Sequence, residues 1–88
     1  MKLYNVHCGF YDEEISEGIY EFHVNIPVVA EDFESAKLEV RKNSIFNKKK
    51  MHIDGIQEFG IVDGYKLELV RVNATNCSKI VNHQHRDL

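Results

Sequence analysis

Residues 19–30, IYEFHVNIPVVA, constrain the whole chain. Tyr20, Phe22, Val24, Ile26 and Val28 alternate with Glu21, His23, Asn25 and Pro27. Successive side chains of a strand point to opposite faces, so this segment has one apolar side and one polar side. A strand of that kind belongs to a sheet covered on one face only. Pro27 has no N–H to give to a ladder, which confines it to a sheet edge, a bulge or the strand's end.

The rest of the chain is read around that strand. MKLYNVHC forms a first strand, with Tyr4, Val6 and Cys8 on one face and Leu3, Asn5 and His7 on the other. Gly9 opens an acidic connection, GFYDEEISEG. EDFESAKLEVRKN is the one good helix, capped by Glu31 or Asp32 and ended by Asn43 and Ser44. Its apolar stripe is Phe33, Ala36, Leu38 and Val40. SIFNKKK follows as a basic connection.

MHIDGIQEF reads as a third strand interrupted at Gly55. Ile53 and Ile56 break strict alternation, and one extra residue in a bulge returns both to one face. Asp63-Gly64 marks a turn, with Gly64 at positive φ. YKLELVRV is a fourth strand, with Tyr65, Leu67 and Leu69 expected to face Phe33, Ala36 and Val40 of the helix. CSKIVN supplies a short fifth strand, and a polar tail runs from about residue 83. The expected fold is a single α+β domain over residues 1–88, in the order ββαββ. It has a four- to five-stranded, mostly antiparallel sheet with one helix on one face, and a β-grasp-like roll is one arrangement of it.

An 88-residue chain is of single-domain size. Its 43% hydrophobic and 28% charged residues are ordinary for a folded globular domain. The net charge of -3 argues against general affinity for nucleic acid. Cys8 and Cys77 are far apart and in no paired motif, so reduced thiols are expected. No segment has the apolar run of a signal peptide or membrane span. A cytoplasmic protein without membrane attachment is the expectation, and Asn73-Ala74-Thr75 is discounted as a glycosylation acceptor.

His52, Ile53, Asp54, Val62, Asp63, Gly64 and Tyr65 carry a resemblance. The stretch MHIDGIQEFGIVDGYKLELV is similar to the signature of a small bacterial family, domain of unknown function 1543. MKLYNV at the start and VVAEDFESAK at the helix entry are similar in character. The chain departs from the family in having Gly55 and Ile56 where members often carry an aromatic residue. It also has an acidic first connection where many have a glycine-rich turn. The resemblance implies a compact α+β domain and no activity.

Several constellations remain as candidates for chemistry. His52 and Asp54 lie at i and i+2, so they share a strand face, and the carboxylate can fix the tautomer of the imidazole as in acid–base sites. Glu58 and Glu68 are candidate neighbours, and the alternative is a polar pair on the open side of the sheet. His83 and His85 share the same spacing and could chelate a metal with Cys77 and with His7 or His52, although no zinc-finger spacing supports it. His7 and Cys8 point to opposite faces and cannot pair, and Cys8 reads as a buried, inert thiol. Lys48, Lys49 and Lys50 could contact phosphates, but Phe46 is the only aromatic residue nearby. Asp12, Glu13 and Glu14 are opposite in charge to those lysines, and two copies could set one block against the other. The leading expectation is a non-enzymatic binding or protein-interaction module that self-associates as a dimer, with no cofactor. A ligand site or enzyme built on His52 and Asp54 is the second reading, and weak nucleic-acid binding through the lysine loop the third.

Overall fold

The structure is a computed structural model that describes residues 1–73 and 78–88. Its centre is a three-stranded antiparallel sheet. The strands are β1 (Lys2–Tyr11), β2 (Glu21–Ala30) and β3 (His52–Phe59), in the spatial order β2-β1-β3. Both β2 and β3 are therefore edges, and Pro27 stands on an edge strand as its missing donor requires. Strand β1 runs through Gly9 to Tyr11, pairing Gly9 with His23 on one side and with His52 on the other. The expected break at Gly9 is thus absent, because two neighbours hold the glycine in the ladder.

The acidic connection after β1 contains a short helix, α1 (Glu13–Ser16). Asp12 caps it by accepting a hydrogen bond from the Glu14 backbone N–H at 3.0 Å. Helix α2 (Phe33–Val40) is capped by Asp32, which accepts from the Ser35 N–H at 2.8 Å. Its buried face is Ala36 and Val40. Leu38 is two residues from each of these, about 200° around the helix, and is exposed. Phe33 sits in the first turn and is exposed too.

Asn43 does more than end α2. Its side chain accepts from the N–H groups of Ile45 and Phe46 and starts a second helix, α3 (Ser44–Lys48), where an irregular basic loop was expected. That helix delivers Phe46 to the core, a placement its apolar neighbours on β1 favour.

One core cluster joins Val6, Cys8, Val40, Phe46 and Met51, and a second joins Tyr4, Ala30 and Ala36. Val28 and Ile56 pack against both. The apolar alternation of β1 and β2 is thus used on one face of the sheet, under α2 and α3. In β3 the register shifts opposite His7 and Cys8, where Cys8 pairs with Ile53 and His7 with Gly55. Asp54 is the extra residue of the expected bulge, and Ile53 and Ile56 both reach the core side.

Among the described residues, the chain beyond β3 does not add to this sheet. Strands β4 (Ile61–Val62) and β5 (Tyr65–Lys66) form a separate two-residue hairpin. Asp63 and Gly64 have φ of 52° and 82°, the two positive values that a tight Asp-Gly hairpin turn needs. The Leu67 N–H donates to Gly60 O at 2.8 Å and closes the loop. The fold is α+β as expected, but the five strands of the described residues divide between two sheets. Tyr65 and Leu69 are exposed and Leu67 half-buried, so this segment is not the helix-facing strand that its alternation suggested. The core side of α2 is already filled by Tyr4, Ala30, Val28 and Ile56. Residues 78–82 form no strand, and the Cys77 start of the expected fifth strand lies outside the described residues.

Candidate functional site

The sheet face opposite α2 carries a change of character along its length. At one end lie Leu3 and its register partners Val29 and Phe59. At the other, β1 presents His7, Gly9 and Tyr11, and the flanking strands add Glu21, His23, Asn25, His52 and Asp54. Gly9 is the centre of this polar end, in a lateral row with His23 on β2 and His52 on β3. Two strand spacings separate the outer positions by ~9.6 Å. With no side chain at Gly9, the two imidazoles lean inward across β1.

The contacts are specific. His52 Nε2 lies 2.7 Å from Glu21 Oε1 and 3.2 Å from Asp54 Oδ1. His23 Nε2 lies 3.0 Å from Asp54 Oδ2 and 3.2 Å from Glu21 Oε1. Each imidazole therefore directs Nε2 between the same two carboxylates. Glu21, His52 and Asp54 can each place a donor atom within 4.8 Å of the other two. The His23 ring stacks on His7 at a centroid separation of 4.8 Å and an interplanar angle of 5°. His7 Nδ1 sits 2.7 Å from Asn25 Oδ1, which makes Nδ1 the donor and fixes that ring in turn. The four inner side chains are between 31% and 45% exposed, so the cluster is open to water and to ligands.

The expected pairing of His52 with Asp54 on the open face is present, and two partners come from elsewhere. Glu21 and His23 belong to the polar side of β2, which the sequence displayed but could not place beside β3. Glu58 and Glu68 are not neighbours of the pair. Glu58 accepts from the Tyr4 hydroxyl at 3.1 Å, and Glu68 lies 3.8 Å from Lys66. His83 and His85 are exposed and lie in no strand, His85 opening a 3-10 turn to Asp87. Cys77, their proposed co-ligand, lies outside the described residues. Cys8 is fully buried, and burial first, then the Asp54 carboxylate, push its thiol pKa upward.

The acidic and basic blocks meet within one chain. Lys49 Nζ lies 2.7 Å from Asp12 Oδ2, and Asp12, Glu13, Glu14, Lys48, Lys49 and Lys50 share one groove. The Lys49 hydrogen bond, opposed by desolvation and helped by the Glu14 and Ile15 N–H groups, holds the Asp12 carboxyl below its usual range. Asp12 also raises the Lys49 ammonium pKa. This lysine is therefore already matched by a carboxylate of its own chain.

Comparison with known proteins gives one match. The model of the family Domain of Unknown Function (DUF1543) matches residues 19–69, more than half of the chain and a span that includes Glu21, His23, His52 and Asp54. No curated protein and no solved structure matches.

Proposed function

The chain belongs to the Domain of Unknown Function (DUF1543) family, and on that footing we propose that it is a small, non-enzymatic ligand-binding module. The binding site is the histidine–carboxylate cluster at the polar end of the open sheet face. One observation carries this reading: two imidazoles and two carboxylates from separate edge strands converge over a glycine of the central strand. A packed fold has no need of such convergence, since exposed ion pairs contribute only about 0–1 kcal/mol each. The same exposure disfavours catalysis, which gains most from a site that excludes water.

Thermal melts test it. Wild type and His52→Ala are compared with divalent cations, inorganic phosphate and small dicarboxylates. A ligand at about 100 times its Kd adds roughly 2.7 kcal/mol. In a domain of this size that is a rise in Tm of about 10–20 °C. A rise in wild type that is lost in His52→Ala supports the site, and a wild type that responds to none of these ligands overturns it.

Self-association as a dimer is a second reading. Met1, Val29, Leu69 and Val70 are exposed apolar residues that line, with Glu68 and Arg71, a groove of about 500 Å³. A second copy is the occupant we propose for it. The charge blocks are not its basis, because Asp12 and Lys49 pair within the chain. Sedimentation should show a species heavier than 10.3 kDa that Val29→Lys disperses. A single 10.3 kDa species at every concentration refutes it. A cytoplasmic location accords with the buried free thiol of Cys8. Among the described residues no helix is long and apolar enough to cross a membrane.

A further inference from the structure

We infer that Glu21, His52 and Asp54, with His23 beside them, bind a divalent first-row transition-metal ion of the zinc type in the space above Gly9. The inference rests on the reading of this cluster as the binding site and names the class of its ligand.

The donor set comes first. Imidazole nitrogen with carboxylate oxygen suits zinc, iron, cobalt and nickel, whereas calcium and magnesium favour oxygen alone. Metal ligation requires neutral imidazoles, and two carboxylates beside them then give a charge that a dication neutralises. All four groups turn atoms that can ligate a metal to one place, the imidazole N–H groups giving up their protons when they do so. His52 Nε2 and His23 Nε2 each lie 2.7–3.2 Å from oxygens of both carboxylates. Atoms around a four-coordinate ion with bonds of ~2.1 Å stand ~3.4 Å apart. The cluster is therefore at nearly the spacing of a coordination shell.

Gly9 supplies an independent observation. A Cβ built on it would fall against Glu21 Oε1, 2.5 Å from Asp54 Oδ2 and 2.6 Å from His52 Nε2. A side chain at this position would therefore collide with three candidate ligand atoms drawn from both neighbouring strands. The Cβ point is one bond length, ~1.5 Å, from the Gly9 Cα, so the ion sits farther out from the strand, and the glycine keeps the space beneath the converging donors clear. Gly9 has an ordinary strand conformation and no positive φ, so backbone geometry does not explain the choice of glycine here.

The surrounding groups orient the donors. The bulge sets Asp54 next to Gly55, so no side chain of the facing residue on β3 crowds His7. His7, held by Asn25, stacks on His23 and limits its rotation. Outer contacts of this kind commonly tune a site's affinity by 10–100-fold. His23 borders both carboxylates and acts either as a fourth donor or as their hydrogen-bonding neighbour.

The test uses the full chain freed of metal with a chelator and then titrated with zinc chloride, reading bound metal by equilibrium dialysis. One ion per chain is expected in wild type. Glu21→Gln, His52→Ala, Asp54→Asn and Gly9→Ala should each lose at least tenfold in affinity. The Gly9→Ala methyl meets only the far ends of flexible side chains, so that variant should fold and unfold as wild type does in urea. His83→Ala with His85→Ala should bind as wild type, which separates this site from the tail. Absence of zinc binding, or binding that survives Gly9→Ala and His52→Ala, overturns the inference. If phosphate or a dicarboxylate instead stabilises wild type but not His52→Ala, the binding site stands and its metal is refuted.

Discussion

Lys49, the residue that caps the end of α3, places its ammonium 2.7 Å from the buried carboxylate of Asp12, the residue that caps the start of α1. One ion pair thereby ties together two loops that are 37 residues apart. It has a direct pH signature. The folded carboxyl pKa of Asp12 is depressed, so its contribution is present above the unfolded Asp value and is lost as pH falls through the folded value. Asp12→Asn should lower the urea midpoint at neutral pH and flatten the acid limb of the stability curve. Asp32, whose pKa is lowered by its capping bonds to Ser35, keeps part of that slope. An unchanged acid limb in Asp12→Asn would remove the pair from the stability account.

Phe46 is the test of the second helix in the core. It is buried among Val6, Cys8, Val40 and Met51, so Phe46→Ala should cost about 3–5 kcal/mol. Ile45, its exposed neighbour, should cost no more than about 0.5 kcal/mol when changed to Ala. Urea unfolding of the two variants reads the contrast directly.

Cys8 should resist thiol reagents. Its sulfur lies in the core, and its raised pKa leaves little thiolate at neutral pH. In a Cys77→Ser background, labelling of the native protein should be far slower than labelling in denaturant. Equal rates would place Cys8 at the surface.

The hairpin should yield small, local effects. Nothing stands within 4 Å of a Cβ at Gly64, so Gly64→Val meets only the strain of a β-branched residue at φ 82°. That is worth about 1–2 kcal/mol. Leu67 is half-buried, and Leu67→Ala should cost about 1–2 kcal/mol, well below the loss at Phe46. Urea midpoints of both variants check this, and a loss at Leu67 equal to that at Phe46 would place the hairpin in the core.

The sequence carried much of this fold because alternation and turn chemistry are local. The faces of β1 and β2, a bulge in β3 beside Gly55 and the Asp63-Gly64 turn were all legible from residues close in the chain. Helix α3 was not, because Asn43 serves equally as a terminator and as a cap, and only the core decides where Phe46 goes. YKLELVRV has a strand's alternation, yet α2 was already covered by Val28 and Ile56, and no period reports that competition. The site was half legible. His52 and Asp54 share a face by spacing alone, while Glu21, His23 and Gly9 join them only through the order β2-β1-β3. The polar side of β2 and the lone glycine in β1 were the signals, and strand order was the missing link.

Pro27 on β2 and the extra residue Asp54 on β3 stand on the two outer strands of the three-stranded sheet. At residue 27 the first edge has no donor to offer, and at residue 54 the second loses its even repeat. Fibril growth needs an uninterrupted template on which identical chains stack in register. Neither border of this sheet provides one, so the protein can leave a polar sheet face uncovered without inviting its own copies to polymerise along the edges.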